Sequence, residues 1–413
     1  MRPGDALNNA RTRAVTWVVT GLLVLLAAAY LAHWARGNGL DLRVYRAGID
    51  SWRSGNNPYF GAFTIHHLHF TYPPFALLAL SPLTWAPFAA TQIALWTLSI
   101  TALTGAVYVV CLRCGRAGGW LLLSQSLAWA SLSVVVVEPV RSNLNYDQIN
   151  TLLMAMVVVD LLVLPRRHRG WLVGLAAAIK LTPLIFLAVP LLERDWKAAG
   201  RAAGAAAGAT GLAWLLCPDG SWTYWTKDVF DARRVGGVAY AGNQSLYGDL
   251  HRWPFASGGN TVIWVVMSAA ALVMGAYVGK RCLSDNRRVA AVLSLAFVGL
   301  EVSPISWTHH WVWVALLPPV LVVGRRQVPG LSPRIALWAL FAVSVLGPYW
   351  WFTSGVGLEY LGDSLSLCAL LTLAVWSWSE YKNRDDGAPR LLPETGRLQG
   401  PSLPTANTSN WNN

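Results

Sequence analysis

Residues 170–192 read GWLVGLAAAIKLTPLIFLAVPLL. The stretch is long enough to cross a bilayer core of ~30 Å, yet Pro183 and Pro190 interrupt it and Lys180 stands in its middle. A proline inside a helix removes a backbone donor and crowds the preceding turn. A lysine inside an apolar segment is costly and marks a functional position, unless it snorkels to a headgroup. A second such stretch, PPFALLALSPLTWAP, spans residues 73–87. How these two segments are treated decides how the rest of the chain is threaded.

Working outward, apolar runs fall at about 15–34, 88–112, 119–137, 149–165, 198–217, 261–280, 288–303, 310–324, 334–349 and 361–379. In lipid only a helix satisfies its own backbone within one segment. Of the 413 residues, 54% are hydrophobic and 13% charged, against roughly 25% charged in a soluble domain. That balance excludes a soluble enzyme and a disordered chain. The fold class read from it is an all-α polytopic membrane protein of about 10–12 transmembrane segments, two of them broken by proline.

Charge then sets the sidedness. If 73–87 and 170–192 each return to the side they entered from, Arg113/Arg116, Arg166/Arg167/Arg169, Arg194/Lys197/Arg201, Lys280/Arg281/Arg287/Arg288 and Arg325/Arg326 all fall in the cytoplasm, as the positive-inside rule requires. A full crossing at 73–87 would place the next basic clusters outside. The formal net charge of +12 is explained by these loops, and no basic, aromatic platform points to nucleic acid. Residues 1–13 read as a cytoplasmic N-terminus, 14–379 as a catalytic membrane domain, and 380–413 as a polar, disordered cytoplasmic tail. The run at 15–34 reads as an uncleaved first span. Cys111 and Cys114 form a lone C-x-x-C without a second pair or a nearby His, so neither zinc nor a redox site is indicated.

This threading uses Lys and Arg alone, and it delivers most of the remaining polar residues to the outer face. Residues 35–72, 138–148, 218–260, 303–309 and 350–360 lie there, with five of the eight histidines, while His33 and His310 adjoin these segments. Asp41 follows the first span at the start of a helix whose apolar positions Leu42, Tyr45 and Ile49 keep a 3.6 period. Two readings compete for it: an N-cap, or a general base whose pKa is raised by desolvation at the membrane surface. Asn143-Leu-Asn145-Tyr146-Asp147-Gln148-Ile149-Asn150 caps a span or meets sugar hydroxyls. Asp160, deep in that span, needs a partner or a place near the cytoplasmic end. Lys180 suits a phosphate. His309 and His310 are adjacent, so on a helix they point apart; a phosphate or substrate contact fits them better than zinc. The segment 218–260 is rich in Trp, Tyr and Gly, which form an interfacial belt or stack on sugar rings.

No P-loop, Rossmann or G-x-S-x-G motif is present, which disfavours a nucleotide-sugar donor and favours a lipid-anchored one. In order along the chain, DLRVYRAG (41–48), FTYPPFALLALSPL (70–83), NYDQIN (145–150), GLAAAIKLTPLIFL (174–187), GNQSL (242–246) and SPISWTHHWVW (303–313) resemble the integral-membrane glycosyltransferases of family 87, in the GT-C superfamily. The resemblance runs from about residue 35 to 325. It implies a polyprenyl-phosphate-mannose donor, a glycolipid or lipoglycan acceptor, an α-(1→2) product, no cofactor and a site on the extracytoplasmic side of the plasma membrane. It also implies that Asp41 matches the family's essential aspartate, Lys180 its lysine in the broken helix, and His309 and His310 its motif histidines. Asp147 stands where the family pattern usually has Gly.

A β-linked mannosyl phosphate giving an α product requires inversion, hence one in-line displacement. Asp41 is then the catalytic base, with Lys180, Arg141, His309 and His310 around the phosphate. Tyr45, Tyr72, Gln148, Asn150, Asn243 and Gln244 complete the expected substrate contacts. The other classes open to this sequence are a pentosyl transferase with a related lipid donor, such as an arabinofuranosyl transferase, and a non-enzymatic transporter of lipid-linked sugars.

Overall fold

The computed structural model describes residues 3–34, 39–253, 260–352 and 359–385. Seventeen α-helices occur among them: α1 (Pro3–Trp34), α2 (Leu40–Arg53), α3 (Phe75–Ala79), α4 (Phe88–Arg113), α5 (Trp120–Val136), α6 (Glu138–Asn145), α7 (Asn150–Val158), α8 (Trp171–Ile179), α9 (Ala188–Leu192), α10 (Trp196–Leu216), α11 (Pro218–Thr226), α12 (Leu246–Arg252), α13 (Asn260–Ser284), α14 (Arg288–Val302), α15 (Leu317–Val323), α16 (Leu331–Leu346) and α17 (Ser364–Asp385). No strand is formed among the described residues; there are two isolated bridges, Phe63 with Leu68 and Asn243 with Trp307. The chain is an all-α membrane protein.

Every apolar run read from the sequence is helical, but the runs are unequal. Among the described residues, four helices are long and apolar enough to cross a membrane: Arg11–His33, Phe88–Arg113, Asn260–Ser284 and Leu361–Asn383. A fifth is reached if α5 and α6, which meet at 80°, count as one broken span. Asn150–Val163, Thr308–Val323 and Leu331–Leu346 are shorter apolar helices. The remaining apolar runs are shorter helical pieces, because breaks and 3₁₀ turns consume part of their length.

Each break has a local cause. Pro139, in the first turn of α6, has no N–H for the carbonyl of Val135, so the chain turns at Val137 (φ −95°, ψ 105°). The orphaned carbonyl is taken by Arg141 Nη1 at 3.2 Å. Lys180 ends α8 in extended conformation (φ −149°, ψ 132°), and Pro183 starts the 3₁₀ turn Thr182–Leu187 that leads into α9. The segment 73–87 divides likewise into α3 and the 3₁₀ turn Ser81–Thr84.

Helix α8 packs on α10 through small residues. A Cβ at Gly174 would strike the Ala202 carbonyl and approach Ala205 Cβ to 2.8 Å. The facing stripe is Ala198, Ala202, Ala205, Ala209 and Ala213, all buried. In lipid such close backbone approach replaces the missing hydrophobic drive. Asp160, on the π-turn Val159–Val163, finds its partners here: its carboxylate accepts from the N–H groups of Gly170 (2.6 Å), Leu172 (2.7 Å) and Val173 (3.1 Å) at the start of α8.

Two boundaries differ from the sequence reading. Residues 218–260 form no simple loop but hold α11, two 3₁₀ turns and α12. Residues 380–385, expected to belong to the tail, are helical as the end of α17. Buried Arg287 needs a counter-charge, and Glu380 supplies it with two 2.7 Å hydrogen bonds. The expected disordered tail from 386 onward lies outside the described residues.

Candidate active site

Helix α2 starts at Gly39, whose φ of +81° suits glycine. Gly39 N–H donates to the Asn145 carbonyl (3.0 Å) and Asp41 N–H to the Tyr146 carbonyl (3.2 Å), so the first turn of α2 is laid across the turn between α6 and α7. Asp41 is not an N-cap: no side chain caps this helix. Its Oδ2 instead accepts from Gln148 Nε2 at 2.7 Å. Burial raises the Asp41 carboxyl to about 6, against the opposing effects of the Gln148 hydrogen bond and the nearby positive Lys180.

From Gln148 the network runs inward. Its Oε1 accepts from Tyr72 (2.8 Å) and Tyr45 (3.1 Å), and the two phenols lie 2.8 Å apart. Lys180 Nζ donates to Tyr72 Oη (3.2 Å) and Asn150 Oδ1 (2.8 Å), and lies 3.0 Å from His310 Nε2. Asn150 Nδ2 donates to the His309 carbonyl (2.9 Å) and to Asn143 Oδ1 (3.1 Å). The His309 ring packs on Tyr146, with centroids 5.3 Å apart, and stands at 80° to His310. Among the described residues the buried His309 Nε2 has no hydrogen-bond partner, while the Ile305 backbone lies in range of the His310 ring.

Residues from five separate parts of the chain are thereby joined: Asp41 and Tyr45, Tyr72, Gln148 and Asn150, Lys180, and His309 with His310. Chemically the cluster offers a carboxylate that can take a proton near neutral pH, a primary ammonium for an anion, and a free imidazole nitrogen on His309. Beside Asn150 and His310 lies a small cavity of about 30 Å³, walled mostly by apolar side chains including Leu153, Val157, Ile185, Phe186 and Trp313.

Three expected substrate contacts are not part of this cluster. Arg141 caps the Val135 carbonyl that Pro139 leaves free, a backbone need that sequence spacing does not reveal. Asn243 and Gln244 are fully buried. Asn243 donates to Val238 O (3.0 Å) and Pro304 O (3.2 Å) and accepts from Ser306 N (2.8 Å). Gln244 donates to Ala241 O and Gly362 O, both at 2.7 Å, and accepts from Leu365 N (3.1 Å). These amides substitute for regular backbone pairing in the loop that carries the histidines.

Other residues were given no site role of their own in the sequence reading. Asn143 ties Gln148 to Asn150, donating to Gln148 O at 3.1 Å. Glu138, 4% exposed, accepts from Tyr349 Oη (2.7 Å), Trp350 Nε1 (3.2 Å) and Thr308 Oγ1 (3.3 Å). It anchors the residue preceding His309, but its partners are too distant in sequence to be anticipated. Gln92 and Trp96 of α4 bind Asp147; a glutamine in an otherwise apolar run was the available signal.

The profile of Glycosyltransferase family 87 matches residues 70–304. The chain is 34% identical over 354 residues, covering 81% of this chain and 82% of the relative, to a polyprenol-phosphate-mannose-dependent alpha-(1-2)-phosphatidylinositol mannoside mannosyltransferase of Mycobacterium tuberculosis. It is 33% identical to the protein of the same description from Mycolicibacterium smegmatis, over 76% of this chain and 78% of the relative. A pentamannoside mannosyltransferase of the latter organism is 29% identical over 90% of this chain and 92% of its own length. With more than half of its length matched by the profile and a relative above 30% identity aligned over most of both chains, this protein belongs to glycosyltransferase family 87.

Proposed function

We propose that the protein transfers mannose from polyprenyl-phosphate-mannose to a phosphatidylinositol mannoside or similar glycolipid, forming an α-(1→2) linkage with inversion. The observation that carries this reading is the placement of Asp41 in one hydrogen-bonded cluster with Lys180 and His310. The relatives' donor and acceptors fit that chemistry.

In the step, Asp41 removes the proton of the acceptor hydroxyl as its oxygen bonds to C1 of mannose. The bond from C1 to the phosphate oxygen breaks, and its electron pair leaves with polyprenyl phosphate. A positioned base contributes ~10²–10⁴-fold. Lys180 and the imidazoles of His309 and His310 stabilise the departing phosphate. Tyr45, Tyr72 and Gln148 hold Asp41 and Lys180 at a fixed separation. The helical body from residue 14 to α17 is the catalytic unit.

We read the site as facing the extracytoplasmic side. Supporting this, Arg113 and Arg288 each lie within electrostatic range of Arg169, while Arg166 and Arg201 join the same group through Asp195 and the Arg166 and Arg169 carbonyls. None of these residues hydrogen-bonds within the Asp41 cluster. Asp41→Asn is expected to insert normally and to lose transfer from radiolabelled polyprenyl-phosphate-mannose in membranes; wild-type transfer would refute the base. Cysteine labelling that put position 41 on the side of the arginine group would refute the sidedness.

A further inference from the structure

A second carboxylate stands behind the base. Asp147 occupies the turn between α6 and α7 with φ +58°, a left-handed conformation that Asp adopts more readily than most L-residues. It is 1% exposed, and both oxygens are engaged: Oδ1 accepts from Trp96 Nε1 (2.7 Å) and Oδ2 from Gln92 Nε2 (2.8 Å). Those donors are one turn apart on α4, so a single carboxylate staples α4 to the turn. Trp96 Nε1 also reaches the Leu144 carbonyl at 3.0 Å.

On its other side, Asp147 closes the space behind Gly39. A Cβ on Gly39 would collide with Asp147 Oδ2 and come within 2.8 Å of Gln92 Nε2 and 2.9 Å of Phe88. The backbone tethers of α2 are the carbonyls of Asn145 and Tyr146, immediately before Asp147. The side-chain tether of Asp41 is Gln148, immediately after it. The contacts of Gly39 and Asp41 themselves thus run to residues 145–148, while Arg46, Trp52 and Arg53 tether the rest of α2 to other segments.

We propose that Asp147 is a positioning residue for the transfer reaction, holding this turn so that Asp41 is presented to the acceptor at one fixed place. The proposal rests on the reading of Asp41 as the base. It requires a carboxylate specifically: two buried donors face the position, asparagine offers one oxygen and turns an amide N–H against the other donor, and glycine fits the backbone but offers neither.

Kinetics of purified variants with polyprenyl-phosphate-mannose and a phosphatidylinositol mannoside acceptor test it. A misplacement of about 1 Å costs on the order of 10² in rate, so Asp147→Gly is expected to lose about thirty-fold in kcat with both KM values within about two-fold of wild type. Asp147→Asn should lose about five-fold, again in kcat alone, since one of its two acceptors survives. Gln92→Leu should lose a similar amount, and adding it to Asp147→Gly should cost nothing further, because the staple is already open. Wild-type kcat in Asp147→Gly, or a loss carried by KM, overturns the proposal. If Asp147→Gly does not reach the membrane, wild-type kcat in both Asp147→Asn and Gln92→Leu overturns it. Asp41→Asn, measured alongside, separates the two claims: activity there defeats the base, whereas an inactive Asp41→Asn beside fully active Asp147 variants defeats the positioning alone.

Discussion

A base works only when ionised, so the pH profile of kcat/KM is expected to report the environment of Asp41 directly. Burial raises its carboxyl to about 6, while Gln148 and Lys180 pull it down. Activity should rise with pH through about 6 and level off above it. At pH 5 roughly one enzyme in ten carries ionised Asp41, giving about a tenth of the plateau rate, and at pH 7 roughly nine in ten do. Gln148→Leu deletes the hydrogen bond that favours the ionised form, so the limb must move to higher pH. A hydrogen bond to a charged group is worth ~1.5–3 kcal/mol and one pH unit corresponds to ~1.36 kcal/mol, so a shift of about one unit is expected when water replaces part of the interaction. The assay is transfer from labelled donor by purified protein between pH 4.5 and 8.5, at low substrate so that the free enzyme is read. Asp147, raised to about 7 by burial, titrates nearby, and the profile is therefore repeated in Asp147→Asn. A flat profile, a limb that vanishes in Asp147→Asn, or a shift to lower pH in Gln148→Leu would refute the reasoning.

Lys180→Met removes the cation beside Asn150 and His310; the donor KM should rise at least about ten-fold with the acceptor KM unchanged, and an unchanged donor KM would exclude phosphate contact. Arg141→Ala should leave the donor KM alone and lower thermal stability in detergent by ~1–3 kcal/mol, the cost of a buried carbonyl left unpaired; a selective donor KM effect would return Arg141 to the phosphate. Arg287→Met strands Glu380, which is 2% exposed, and should destabilise by ~3–5 kcal/mol. Adding Glu380→Leu should recover most of that loss, and failure to recover would mean that the pair is not what joins α14 to α17.

Periodicity and charge disclosed the helices because lipid imposes a strong rule on every apolar run. They disclosed much less about length, since Pro139 and Pro183 bend the chain and the shortened pieces no longer span by themselves. At the site, residues read as chemically costly in their segment (Asp41, Lys180, the paired histidines) are found together. Arg141, Asn243 and Gln244 looked equally polar on paper but serve the backbone, because a bend or an irregular loop leaves carbonyls and N–H groups that some side chain must satisfy. Sequence spacing cannot separate these two uses of a polar residue. Only the partner can, and for Arg141 the partner is the carbonyl that Pro139 leaves free.

The same bends explain why the site forms where it does. Lys180 follows the last turn of α8 and precedes Pro183; Gln148 sits between α6 and α7; His309 and His310 belong to the 3₁₀ stretch Thr308–Leu316 that leads into α15. A continuous helix would spend its backbone on itself and project its side chains at fixed 100° steps. A broken one frees backbone groups, such as the His309 carbonyl that binds Asn150, and lets neighbouring residues such as Lys180 and Pro183 face different partners. Buried charge is tolerable near a membrane only where irregular backbone and converging amides solvate it. By interrupting helices, the prolines free the backbone groups of a polar interior in which the Asp41 carboxylate and the Lys180 ammonium share a network. Pro183→Ala is expected to test this, since a helix continued through residue 183 would draw Lys180 away from Asn150 and His310. It should raise the donor KM as Lys180→Met does, and a wild-type KM would show that the break is held by packing and not by the proline.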